Sequence, residues 1–182
     1  MNMTFSTLKY TLGDDGIASV VFDEPGSPVN TMKPEWQADM VALADRLQAD
    51  SDKLQGVVLS SAKTTFFAGA DLKGVLKLQA SDAAAGFVGI EAVKKAFRRI
   101  ETMGKPVVAL LQGAALGGGW EVALIAHARF ALDQPKITLG LPEVTLGLPP
   151  AQIAPFVWQR LGESAARQCL LQGLSYTAAQ AL

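Results

Sequence analysis

An α/β fold with much parallel strand pairing is the class this sequence predicts, and three features carry it: apolar runs of strand length, amphipathic stretches of helix length, and the regular alternation of the two. Ser6 to Leu12 and Ile17 to Phe22 read as strands joined by Gly13-Asp14-Asp15-Gly16, residues that accept the positive φ of a hairpin turn. Asp23-Glu24-Pro25-Gly26-Ser27-Pro28 is a loop. Pro34 to Ala49 sets Trp36, Met40, Val41, Leu43, Ala44 and Leu47 three to four residues apart, which predicts an amphipathic helix. Gly56 to Ser60 is a buried strand, Ala83 to Thr102 is mostly helical, and Val107 to Leu111, after Pro106, is a strand. Trp120 to Ala126 reads as a helix, Arg129 to Leu132 as a strand, and Ile153 to Arg160 and Glu163 to Leu171 as helices. Thr177 to Leu182 reads as the start of a further helix. No linker, low-complexity tract or internal repeat divides the chain, so residues 1–182 form one domain.

Composition narrows the function. The 182 residues are 49% hydrophobic and 18% charged, enough to bury a real core. With 16 basic against 17 acidic residues and a net charge of −1, no broad field attracts nucleic acid or an anionic membrane, so neither is expected as a partner. Lys94, Lys95, Arg98 and Arg99 form a basic stripe that reads as a solvated helix face. The N-terminus has no basic region followed by an apolar core, and no apolar run reaches the ~18 residues of a membrane span. A cytoplasmic protein is expected. The one cysteine, Cys169, excludes an internal disulfide and sits in an apolar run as a small buried hydrophobe. The one histidine, His127, has no marked serine or cysteine partner and gives too few ligands for a histidine-based metal site, so a helix-end role is expected and no metal.

Three segments carry candidate chemistry. In Gly113-Ala114-Ala115-Leu116-Gly117-Gly118-Gly119-Trp120-Glu121, residues without Cβ let the backbone approach a ligand just where a helix start leaves N–H groups without internal partners. Glu121 arrives on the first turn, where a carboxylate can handle a proton beside donors for an oxyanion. Thr65-Phe66-Phe67-Ala68-Gly69-Ala70-Asp71-Leu72-Lys73 follows the strand at Gly56 to Ser60, with Asp71 at an N-cap position. Leu139-Gly140-Leu141-Pro142-Glu143-Val144-Thr145-Leu146-Gly147-Leu148 brings a second carboxylate.

In their order and spacing these motifs resemble the crotonase (enoyl-CoA hydratase/isomerase) superfamily, from about Leu8 to the last residue. The resemblance implies a crotonase-like spiral of repeated ββα units and a pair of backbone amides, at Ala70 and Gly118, that bind a thioester oxygen. It places the acid–base carboxylates at Glu121 and Glu143, and substrate contacts at Ala68, Gly69, Asp71, Leu72, Lys73, Gly117 and Pro142. Phe66, Phe67 and Trp120 either line an acyl pocket or fill the core, with core favoured for Phe66. Two carboxylates favour syn hydration of a 2-trans-enoyl-CoA to a 3-hydroxyacyl-CoA; the alternatives are a Δ3,Δ2-enoyl-CoA isomerase using Glu143 alone and a truncated, non-catalytic CoA-binding module. Coenzyme A enters as part of the substrate and no separate cofactor is implied. Val29-Asn30-Thr31-Met32 and the spacing of the glutamates resemble the hydratase domain of fatty-acid β-oxidation multifunctional proteins, whereas Leu148-Pro149-Pro150-Ala151 resembles hydratases of leucine and terpenoid catabolism. Family members continue into C-terminal helices that cover the acyl pocket and build homotrimers or hexamers, so the resemblance implies a domain lacking that helical part.

Overall fold

The opening hairpin shows how local chemistry sets the element boundaries. In the computed structural model, which describes residues 4–149 and 154–181, β1 (Leu8–Leu12) pairs antiparallel with β2 (Ile17–Phe22). Between them the Gly13 N–H donates to Ile17 O (3.0 Å) and Gly16 takes φ 77°. β1 begins two residues later than the apolar pattern predicts, because the amides of Ser6 and Thr7 leave the sheet. Both donate to Asp39 Oδ2 (2.9 and 2.6 Å), which also receives the Thr7 hydroxyl (2.7 Å), tying the chain start to α1 (Pro34–Ala49).

A five-stranded sheet has the order β1-β2-β3-β4-β6, with β3 at Gly56–Ser61, β4 at Val107–Leu111 and β6 at Ala128–Ala131. Every pairing after the hairpin is parallel, which requires crossovers between consecutive strands. Those crossovers build a second, smaller sheet of β5 (Ala115–Leu116), β7 (Thr138–Gly140) and β8 (Ser175–Thr177), extended by a parallel bridge from Phe67 to Ala115. The chain therefore winds as a spiral of strand, short strand, helix. β4, β5 and α4 (Gly118–Leu124) form one turn; β6, β7 and α5 (Ala154–Gln172) form the next.

The core lies between the large sheet and the helices α1 and α3 (Ala83–Glu101). Its centre is aromatic: Phe22 meets Phe66 and Phe67 edge-on at 5.9 and 5.6 Å, and Trp36 meets Phe67 and Phe97 at 5.1 and 6.1 Å. Phe66, Phe67 and Trp120 are all buried. α5 breaks at Gly162, whose φ is 74°, in the gap between the two predicted helices; Ile153, the predicted start of the first, lies outside the described residues. The expected helix at the chain end is instead β8 followed by a 3₁₀ turn at Ala179–Ala181, since Thr138, Leu139 and Gly140 pair with Thr177, Tyr176 and Ser175. Among the described residues no helix is long and apolar enough to cross a membrane.

Candidate active site

Strips of extended chain lie side by side, and the candidate residues sit at or just past their C-terminal ends. The Ala68 N–H donates to Asn30 O (2.9 Å), and the Met32 N–H donates to Gly69 O (2.9 Å). On its other flank the 66–67 segment joins β5: the N–H groups of Phe66 and Phe67 donate to Ala114 O (3.0 and 3.2 Å) and that of Leu116 to Phe67 O (3.1 Å). β5 in turn joins β7 through the Gly117 N–H, which donates to Gly140 O (2.8 Å). Ala70 follows the first strip, Gly118 and Glu121 the second, and Glu143 the third. Three segments far apart in sequence thus deliver their functional groups to one place.

Gly117 makes the turn into α4 with φ 56° and ψ −131°, a region open to glycine, and α4 starts at Gly118 rather than at Trp120. The Trp120 and Glu121 N–H groups donate to Gly117 O (2.8 and 3.1 Å). No backbone bond of the described residues uses the amide of Ala70 or of Gly118. Those two residues line a cavity of about 230 Å³ together with Glu121, Glu143, Met32, Val75, Leu78, Leu148 and Pro149. Its wall thus combines two residues whose amides take no backbone bond, two glutamates and an apolar remainder.

The carboxylates differ. Glu121 is 2% exposed on the first turn of α4. Glu143 is half-buried in the 3₁₀ turn Pro142–Leu146, and its Oε2 is buried without a hydrogen-bond partner. Burial pushes the Glu143 carboxyl above the usual range, opposed more weakly by a hydrogen bond from its own backbone. Glu143 Oε1 lies against Gly117, where a Cβ would stand 2.6 Å from it. At Gly118 a Cβ would run into the Met32 thioether.

An adjoining cavity of about 190 Å³ shares Ala70, Glu143 and Leu148 and is lined by Ala68, Gly69, Leu72, Gly117 and Pro142, five of the expected substrate contacts. Asp71 and Lys73 are not among the lining residues of either cavity. Asp71 does take the N-cap position of the four-residue α2 (Leu72–Val75), but its side chain makes no capping bond. Phe66 and Phe67 belong to the core rather than to these walls, and Trp120 lines a different cavity, beside Arg129. Met32 and Leu148 lie in segments that the family resemblance covers, but the resemblance singles out neither as a site residue; both line the first cavity. His127 lies outside both cavities and clamps β4: its Nδ1 accepts the Val107 N–H (3.0 Å) while its own N–H donates to Val107 O (2.8 Å). Cys169 is buried, which pushes its thiol up. In the basic stripe, Lys94 pairs with Glu91 (2.6 Å), Arg98 with Glu101, and Arg99 with Asp45 (2.7 Å).

Comparison with known proteins gives the family. The sequence profile of the enoyl-CoA hydratase/isomerase family matches residues 13–182, and the chain belongs to that family. The fatty acid oxidation complex subunit alpha of Idiomarina loihiensis is 39% identical over 132 residues, 70% of this chain. The chain spans 18% of that relative's length. Among solved structures, DspI of Pseudomonas aeruginosa superposes with a TM-score of 0.86 over 100% of this chain and 67% of that one, at 24% identity, and shares the fold. An enoyl-CoA hydratase from Shewanella pealeana gives 0.84 over 97% and 64%, at 27% identity. The α/β architecture is thus the crotonase fold.

Proposed function

We propose that the chain is an enoyl-CoA hydratase acting on a 2-trans-enoyl-CoA. The observation that carries this reading is the presence of Glu121 and Glu143 in the wall of the same cavity as Ala70 and Gly118. The thioester carbonyl accepts the N–H groups of Ala70 and Gly118. Water adds its oxygen to C3 as Glu121 takes its proton, and the C2–C3 π electrons move onto the carbonyl oxygen as an enolate. The two amides stabilise that charge; loss of one such donor commonly costs about 10²–10³ in rate. Glu143, whose carboxyl burial shifts toward the protonated form, gives a proton to C2 on the same face, and the enolate collapses to the 3-hydroxyacyl thioester. The product gains the water's O–H at C3 and the Glu143 proton at C2. The water proton left on Glu121 is returned to Glu143 through solvent before the next turnover, so the net change is addition of one water, and no cofactor besides the substrate's own coenzyme A takes part.

The raised pKa of Glu143 also supports a second reading, a Δ3,Δ2-enoyl-CoA isomerase in which that carboxylate alone moves a proton between C2 and C4. Separate incubations with crotonyl-CoA and a 3-enoyl-CoA distinguish the two. Hydration of the first is expected, conversion of the second alone supports the isomerase, and binding of both without turnover supports a CoA-binding module. The fatty-acid-oxidation name of one relative supports a role in acyl-CoA catabolism. A homotrimeric or hexameric cytoplasmic protein is proposed on the family resemblance.

A further inference from the structure

Asn30 stands outside the cavity, yet its contacts converge on the loop that ends at Ala70. It is 1% exposed. Its Nδ2 donates to Ser61 Oγ (2.9 Å), to Phe66 O (3.1 Å) and, at longer range, to Phe22 O (3.4 Å), while its Oδ1 accepts the Glu24 N–H (3.0 Å). One carboxamide thereby joins the ends of β2 and β3 to the 66–70 loop. The main chain continues the attachment: Asn30 O accepts the Ala68 N–H (2.9 Å) and the Met32 N–H donates to Gly69 O (2.9 Å). The strip is held from behind, because the Glu24 carboxylate accepts the N–H and hydroxyl of Thr31 (2.9 and 2.8 Å) and pairs with Lys33.

The two sides of the loop are supported differently. Up to Phe67 it is bonded to Ala114 and Leu116. For Ala68 and Gly69 the backbone bonds among the described residues go to the Asn30–Met32 strip, and Gly69 turns with φ 90°, where the chain has little stiffness of its own. The strand carrying Gly118 is anchored elsewhere, through the Gly117 N–H to Gly140 O. The two loops share the pairing of Phe66 and Phe67 with Ala114 and Leu116, but beyond it each amide donor has its own anchor, and Asn30 is the one behind Ala70.

We infer that Asn30 is a positioning residue for the Ala70 amide, setting its place relative to the Gly118 amide so that both reach one thioester oxygen. This rests on the hydratase reading. Removing the carboxamide frees the strip and moves one donor while the carboxylates and the Leu72, Gly117 and Pro142 side of the adjoining cavity stay in place, so polarisation of the bound carbonyl should fall more than affinity. Since a misplacement of about 1 Å costs about 10²-fold, Asn30→Ala should lower kcat about 10- to 100-fold with little change in KM.

The test is the absorption of para-dimethylaminocinnamoyl-CoA, a push–pull chromophore that shifts to the red when its carbonyl is polarised. It is measured at saturation on the parent, Asn30→Ala, Asn30→Ser and Asp39→Asn, alongside crotonyl-CoA kinetics and a denaturant titration. Asp39→Asn loosens the contact between α1 and the chain start, away from the cavity, and controls for lost stability. In folded Asn30→Ala the red shift should drop below half the parent's, with Asn30→Ser, which keeps one donor, in between and serving alone if the alanine variant does not fold. A full red shift and parental kcat in a folded Asn30 variant overturns the inference, as does an equal loss of red shift in Asp39→Asn. A parent that binds the probe with no red shift overturns the hydratase reading itself.

Discussion

Gly117→Ala separates what the site needs from what the fold tolerates. At φ 56° and ψ −131° the residue sits where L side chains are strained by about 1–3 kcal/mol, and its new Cβ would stand 2.6 Å from Glu143 Oε1. The carboxylate must swing away by something approaching 1 Å to regain van der Waals contact, a displacement worth about 10²-fold in rate. Gly147→Ala is the matched control: it too has positive φ (72°), but its Cβ would meet nothing within 4 Å, so it should cost about 1–2 kcal/mol of stability and leave turnover intact. The assay is a denaturant titration of both variants with crotonyl-CoA hydration measured on the folded protein. Both variants should lose stability, Gly117→Ala at least as much as Gly147→Ala, but only Gly117→Ala should lose activity. Parental activity in Gly117→Ala would show that the contact with Glu143 does not fix the carboxylate.

Gly118→Val should abolish turnover in a protein that still folds, since its Cβ drives the flexible Met32 thioether into the cavity; circular dichroism and activity measured together check it, and normal activity would remove Gly118 from the site. Burial raises the Glu143 pKa in the folded chain, so its contribution to stability is present below the ordinary glutamate value of about 4.3 and is lost as pH rises through the raised value. Glu143→Gln should accordingly gain stability relative to the parent as pH is raised through that window, and parallel melting curves would refute the burial argument. His127→Ala strips an acceptor from the buried Val107 N–H and should cost about 1–3 kcal/mol in a denaturant titration while leaving kcat unchanged; a fall in kcat would give His127 a chemical role.

What the sequence made legible was local. Gly117, Gly118, Pro142 and the two glutamates lie in segments whose glycines and prolines restrict the backbone by themselves, so motif order was enough to group them. The strips that join those segments left no pattern: β5 spans Ala115–Leu116 and β7 Thr138–Gly140, too short for a periodicity of two to show, and each exists because of its neighbour. Asn30 was legible only as part of the Val29-Asn30-Thr31-Met32 resemblance and Asp39 not at all, because a carboxamide or carboxylate that gathers backbone groups from distant strands is indistinguishable in sequence from a solvated one. Asp71 and Lys73, adjacent to Ala70 in sequence, line neither cavity.

The central claim is that two carboxylates and two backbone amides add water to an enoyl thioester. Mass analysis of the product formed from crotonyl-CoA in deuterium oxide, by the parent and by Glu121→Gln and Glu143→Gln, tests it most directly. The parent should yield the 3-hydroxyacyl thioester with one deuterium bound to C2, and each glutamine variant should form it at least about 10²-fold more slowly. A parent that adds no water, or a Glu121→Gln variant that adds it at the parental rate, would contradict the two-carboxylate mechanism.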